Sequence, residues 1–173
     1  TTPIHKKTDI DLEIGDKIKE AFNLEYAPET IDCFDISHFQ SSFIVGSCIR
    51  FKHGAPDKNS FRRFALRSLK EQNDYAALQE IVARRYRNPE DMPDLIVIDG
   101  GKGQLNAVQA LFPEAQIISL AKREETIFGK TLPADGVKLN LKDPVGKLLI
   151  ALRDYAHHFA ISYHRKKRHM KPF

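Results

Sequence analysis

The chain has 173 residues, 42% of them hydrophobic and 29% charged, enough for one domain with its own core. No apolar run reaches the roughly 18 residues of a membrane span, and Thr1 to Lys7 is polar and basic rather than a secretion signal. Two cysteines, Cys33 and Cys48, make neither a disulfide framework nor a zinc site; as small buried hydrophobes they fit a reducing cytoplasm.

Thr1 in place of Met suggests a fragment of something longer. The first 27 residues read as a linker or helix segment, because Ile14, Ile18 and Phe22 recur at helical spacing and Pro28 follows. From residue 28 to 173 the chain reads as one domain. Thr30–His38 and Phe43–Lys52 are strand-like and pair as a hairpin around a tight turn at Gln40-Ser41, which sets Cys33 opposite Cys48. Gly54-Ala55-Pro56-Asp57 turns into a third strand, Ser60 to Leu69. Asn73 or Asp74 caps a helix from Tyr75 to Tyr86, which Asn88-Pro89 stops.

The organising stretch is Leu95-Ile96-Val97-Ile98-Asp99-Gly100-Gly101-Lys102-Gly103-Gln104. Its β-branched run reads as a strand buried on both faces, and the glycines permit a sharp turn into a helix starting near Gln104. Asp99 either caps that helix or serves a ligand at the sheet's carboxyl edge. A strand Gln116–Leu120, a hairpin or flap over 122–141 and a final helix opened by Asp143-Pro144 complete the chain. Arg165, Lys166, Lys167, Arg168 and Lys171 follow. Without these five the chain holds 22 basic against 23 acidic residues, so the net charge of +4 lies in the tail, either a solvated helix end or a polyanion contact.

Three antiparallel strands, then helix, strand, helix, strand, with flanking helices, is the element order of a ribonuclease H-like mixed α/β sheet. Such a fold sets the first and fourth strands side by side, with Asp35 and Asp99 about 5 Å apart. Two carboxylates that close call for a cation between them, and oxygen ligands favour Mg²⁺ or Mn²⁺. His157, on the flank of the final helix's apolar stripe, is a candidate third group as ligand or base. Asp154, three residues before it, is placed to orient the imidazole.

Cys33-Phe34-Asp35-Ile36-Ser37-His38 and Ile98-Asp99-Gly100-Gly101-Lys102-Gly103-Gln104-Leu105 resemble two signatures of the C-terminal nuclease domain of the UvrC family, the incising subunits of bacterial nucleotide excision repair. Phe61-Arg62-Arg63-Phe64, Asn73-Asp74-Tyr75, Leu120-Ala121-Lys122-Arg123-Glu124-Glu125, Arg153-Asp154-Tyr155-Ala156-His157 and His164-Arg165-Lys166-Lys167-Arg168 are similar to further family motifs, in the same order. The resemblance implies a ribonuclease H-like endonuclease with Asp35, Asp99 and His157 as metal-dependent triad for the 5′ incision. It also implies Asp74 as a further functional acid, His38 and Asp154 as supports behind the metal-binding groups, and damaged double-stranded DNA and a UvrB-type helicase subunit as partners. Arg62, Arg63, Arg67, Lys102 and the run Arg165, Lys166, Lys167, Arg168 are the expected DNA-binding residues, holding phosphates rather than reading bases.

Ser41 stands where that family usually has Gly, and Tyr155 where it often has Glu. The family's other nuclease half and its helix-hairpin-helix module are not in the sequence. Lys102 is not followed by Ser or Thr, so Gly100–Gly103 is no P-loop and no nucleotide cofactor is expected. The rival readings are another nuclease of the same fold, such as a resolvase or transposase, and a non-catalytic nucleic-acid or protein-binding module.

Overall fold

Alternation along one long strand divides the molecule. A computed structural model describes the backbone of residues 3–39, 43–67 and 74–169, and the side chains within 13–38, 43–67 and 74–162. That strand is β1 (Thr30–Phe39), preceded by α1 (Pro3–Phe22) and followed by β2 (Phe43–Lys52), β3 (Ala55–Pro56), β4 (Arg62–Arg67) and α2 (Asp74–Arg85). After these come β5 (Leu95–Asp99), α3 (Lys102–Leu111), β6 (Ile117–Ala121), β7 (Thr126–Gly129), β8 (Val137–Lys138) and α4 (Pro144–His169). Cys33 belongs to the apolar cluster beneath α1 and α4, with Ile18, Phe22, Val97, Leu149 and Leu152. Phe34, next along the strand, belongs to the cluster beneath α2 and α3, with Ile81, Val82, Ile96, Ile98 and Val108. The sheet thus carries a helical layer on each face, because consecutive strand residues point to opposite sides.

The sheet runs β3-β2-β1-β5-β6-β7-β8, with β4 also paired to β2. β1 pairs antiparallel with β2 and parallel with β5, and β5 parallel with β6. This is the ribonuclease H-like mixed sheet expected from the element order, with β1 and β5 at its centre. Leu95 to Ile98 are at most 1% exposed, as a strand covered by helices on both faces requires.

A polar clasp sets the parallel register. The Asp94 carboxylate accepts from the backbone N–H of Glu29 (2.8 Å) and Thr30 (3.2 Å). The Asp94 N–H donates to the Thr30 carbonyl and hydroxyl, each at 3.0 Å. From there the pairing runs Ile31–Leu95, Asp32–Ile96, Cys33–Val97, Phe34–Ile98.

The third strand starts at Arg62 rather than Ser60 and is described to Arg67, with 68–73 outside the described residues. The 122–141 segment takes the hairpin alternative: β7 pairs antiparallel with β6, β8 antiparallel with β7, and together they extend the sheet at its far edge. Asp143 caps α4, its Oδ1 accepting from the Val145 N–H at 2.8 Å. Asp99 does not cap α3; Gly101 stands at that position, and Gln104 Oε1 folds back to accept its N–H at 3.0 Å. Ile18 and Phe22 of α1 are buried against the same core as α4. No helix among the described residues is long and apolar enough to cross a membrane.

The cysteine pairing is corrected. Phe39 lies opposite Phe43, so Cys33 faces Ile49 and Cys48 faces Phe34. Three residues, not two, separate the paired ends, and that one-residue shift sends the two thiols to opposite faces of the sheet. Both are free and fully buried, and burial pushes both thiols well above their ordinary range. We expect a thiol reagent to modify neither cysteine in the native protein and both in denaturant; a disulfide in non-reducing mass spectrometry would contradict this register.

Candidate active site

The register carries one row of side chains across the sheet. Arg63 of β4 lies opposite Ser47 of β2, and Ser47 opposite Asp35 of β1. The β1–β5 ladder reaches Phe34–Ile98, which makes Asp35 and Asp99 next in line on neighbouring strands, and Asp99 lies opposite Leu120 of β6. Alternation turns this row toward α4. Ser47 Oγ donates to the Ala156 carbonyl at 3.1 Å, and Arg63 Nη2 to that of Phe159 at 3.4 Å, which pins the helix across the row.

Two carboxylates of β1 are buried, and they differ in what compensates them. Asp32 is fully buried on the α2 side, where Arg50 donates to it at 2.7 and 3.0 Å and the Tyr86 hydroxyl adds a third bond. Asp35 is 8% exposed. Its Oδ2 is buried without a hydrogen-bond partner and lies 3.8 Å from His157 Nδ1. Burial pushes the Asp35 carboxyl up to about 6, with the charge of Asp99 adding to the rise and His157 and Lys122 opposing it. Burial likewise raises Asp99, against the pull of Lys122 and Arg153.

α4 supplies the other wall. With Ala156 turned to the sheet, successive residues step about 100° round the helix, which places Arg153 and His157 on one flank and Tyr155 and Phe159 on the other. The first flank, with Asp99, Lys122, Glu125 and Asp154, lines a cleft of about 240 Å³, room for a hydrated ion or a phosphate group at roughly 30 Å³ per water. The second packs into an aromatic cluster, where the Tyr155 ring meets Phe51 at 5.3 Å and Phe159 meets Phe61 at 5.3 Å. Tyr155 is therefore turned away from the cleft. His157, its side chain 60% exposed, reaches Asp35, while Asp154 borders the cleft; among the described residues the carboxylate found against the imidazole is that of Asp35. His158 is exposed, its ring 6.3 Å from that of His157.

Asp35, Asp99 and His157 are thus brought together, and Asp74 and His38 are not brought to them. His38, three residues beyond Asp35, falls on the other face of β1, where its Nε2 lies 3.5 Å from Asp74 Oδ1 at the start of α2. Arg63 and Arg67 share the α4 face of β4, but alternation sends Arg62 to the opposite face, with its guanidinium on the carbonyls of Asn59 and Phe61. Lys102 donates to the Ala134 carbonyl at 2.8 Å, beside the β7–β8 edge. The side chains of Arg165 to Arg168 and residue Ser41 lie outside the described residues. Sequence reasoning gave no role to Lys122, Glu125 or Arg153; the runs containing them are the available signal, but only the fold shows that both reach one cleft.

No three His, Cys, Asp or Glu side chains among the described residues stand as a preformed cation cage. The donor chemistry nevertheless suits a hard divalent cation: two carboxylates, one buried and one half-buried, both held above their ordinary range, with Asp35 carrying an orphaned Oδ2. A raised carboxyl binds its proton more tightly in the folded state, so its contribution to stability is full below the unfolded value near 4 and is lost as pH rises through about 6. Asp35→Asn should accordingly be more stable than wild type at pH 8, on the order of 2–3 kcal/mol, and no more stable at pH 3.5. Urea melts at the two pH values check this; an equal gain at both would show that charge is not the cause.

Residues 19–161 match the family model described as the UvrC RNase H endonuclease domain. The UvrABC system protein C of Methanospirillum hungatei is 43% identical over 162 residues, covering 88% of this chain and 31% of that protein. That of Prosthecochloris aestuarii is 46% identical over 159 residues, covering 87% and 26%. The chain therefore spans between a quarter and a third of the curated relatives it matches. Among solved structures, Ciona intestinalis endonuclease V in complex with an inosine-containing 24mer DNA gives a TM-score of 0.44 at 14% identity, covering 69% of this chain and 57% of that one. Human ENDOV gives 0.42 at 17% identity, covering 65% and 50%; likenesses of that size add nothing to the assignment. On its match across 19–161, the chain belongs to the UvrC RNase H endonuclease domain family.

Proposed function

We propose that this domain makes the 5′ incision in damaged double-stranded DNA during nucleotide excision repair, working with a UvrB-type helicase subunit and a divalent cation, Mg²⁺ or Mn²⁺. The observation that carries the reading is the pair of aspartates on neighbouring strands, Asp35 buried and Asp99 half-buried, with His157 3.8 Å from Asp35. Asp35 and Asp99 are the residues that would hold the cation, which when bound supplies a water nucleophile and offsets phosphate charge. A cation held there would offset the mutual repulsion of the two carboxylates in their charged forms. With Nδ1 toward Asp35, His157 has Nε2 left to accept a proton from the attacking water. The exposure of His157 fits a base that must meet substrate. Asp74, matched to a functional family position, acts from the other face of β1 through His38, away from the reacting phosphate.

Duplex DNA is held on the α4 face by Arg63 and Arg67, with Arg62 directed elsewhere. Contacts to phosphate carry no sequence information, as damage repair requires.

Two tests follow. In the complete repair protein, with its helicase partner and a lesion-bearing duplex, Asp35→Asn and His157→Ala should each abolish the 5′ cut while DNA binding persists; a normal 5′ cut by both variants refutes the assignment. Arg67→Glu should weaken duplex binding about tenfold, alike across sequences, and flatten its salt dependence, whereas Arg62→Glu should stay within about twofold. Fluorescence anisotropy on several duplexes measures both.

A further inference from the structure

The loop between β6 and β7 is strained where it meets α4. Glu124 and Glu125 both take left-handed backbone, φ 60° and 48°, a region that side-chain-bearing residues visit rarely and at a cost. The bend places Glu125 against Arg153 of α4. The carboxylate takes the guanidinium end-on, Nη1 at 2.6 Å and Nη2 at 3.1 Å, with side chains about one-quarter and one-fifth exposed. A fork of this kind fixes an arginine's plane more tightly than a single contact.

The cleft around this bridge carries mixed charge. Asp99 and His157 line one part of it, and Lys122 and Arg153 add two cations beside the acidic pair. Both cations pull on Asp99 electrostatically, yet Arg153 is held back from it by Glu125. Two of its five N–H donors go to Glu125, so a second acceptor can be taken without breaking the bridge.

We propose that Arg153 is a substrate-contacting residue that, with Lys122, takes a non-bridging oxygen of the scissile phosphodiester, and that Glu125 is the positioning residue that holds its guanidinium in place. This rests on the nuclease reading above. The bent loop thus has a purpose: it carries Glu125 from the end of β6 to the flank of α4 that faces the aspartates. Charge that develops on the phosphate meets a fixed donor, an arrangement that acts mainly on kcat.

Incision kinetics and a phosphate titration test it together. Arg153→Gln should lower kcat about 100-fold, the scale of losing one preorganised donor, with Arg153→Lys recovering part. Glu125→Gln should lower kcat about tenfold with KM within about twofold. The double variant should be no slower than Arg153→Gln, since Glu125 acts only through Arg153. Losses that multiply in the double variant, or an Arg153→Gln that cuts like wild type, overturn the proposal and leave the nuclease reading standing. If the unchanged protein makes no cut, that reading fails by itself, and inorganic phosphate decides the remainder. The Arg153 Nε–H resonance should shift saturably with phosphate in wild type, and with at least tenfold weaker affinity in Glu125→Gln whose other amide resonances are unmoved. A resonance indifferent to phosphate overturns the proposal.

Discussion

The structure depends on the parallel pairing of β1 with β5, and that pairing begins at a small polar contact. Asp94, just before β5, and Thr30, the first residue of β1, close a ring of hydrogen bonds where the two strands begin. Thr30 precedes Asp35 by as many residues as Asp94 precedes Asp99, so the clasp that sets the register also sets the two carboxylates abreast. A slip of one residue would turn one aspartate to the opposite face and into an apolar layer. Ile31, Cys33, Leu95 and Val97 on one face, and Phe34, Ile96 and Ile98 on the other, oppose any slip because each is nearly inaccessible to water.

The contrast between Asp32 and Asp35 shows how one strand separates structure from chemistry. Both sit in β1, three residues apart, so they emerge on opposite faces. Asp32 is satisfied by Arg50 and Tyr86 and belongs to the scaffold. Asp35 is buried beside a second carboxylate and keeps an oxygen without a partner. An uncompensated buried carboxylate costs stability, and such a cost is retained where a site needs it.

α4 reads the sheet with two flanks. Its aromatic side locks against β2 and the segment before β4, where Arg63 stacks over Phe159 at 3.7 Å from the ring centroid. Its polar side carries Arg153 and His157 to the cleft. The hydrogen bonds from Ser47 and Arg63 to the helix carbonyls hold it at a fixed rotation, so His157 meets Asp35 while His158 does not. An error of one residue in the helix would exchange those two histidines, about 100° apart.

The sequence by itself determined the elements that follow periodicity and punctuation: the buried run Leu95–Ile98, the hairpin strands from Thr30 and Phe43, and a last helix opened at Asp143. It also determined the pairing of Asp35 with Asp99, because two acidic signatures each stood at a strand of the expected central pair. Tertiary structure decided what depends on the register of one strand against another and on the face to which a side chain turns. A third residue in the first hairpin's connection separated Cys33 from Cys48. Strand alternation moved His38 away from Asp35 and Arg62 away from Arg63. The approach of the β6–β7 loop to α4 brought Lys122, Glu125 and Arg153 to the aspartates from two distant parts of the chain. Local patterns fix how a side chain points relative to its neighbours in sequence; only the packed fold fixes what stands opposite it.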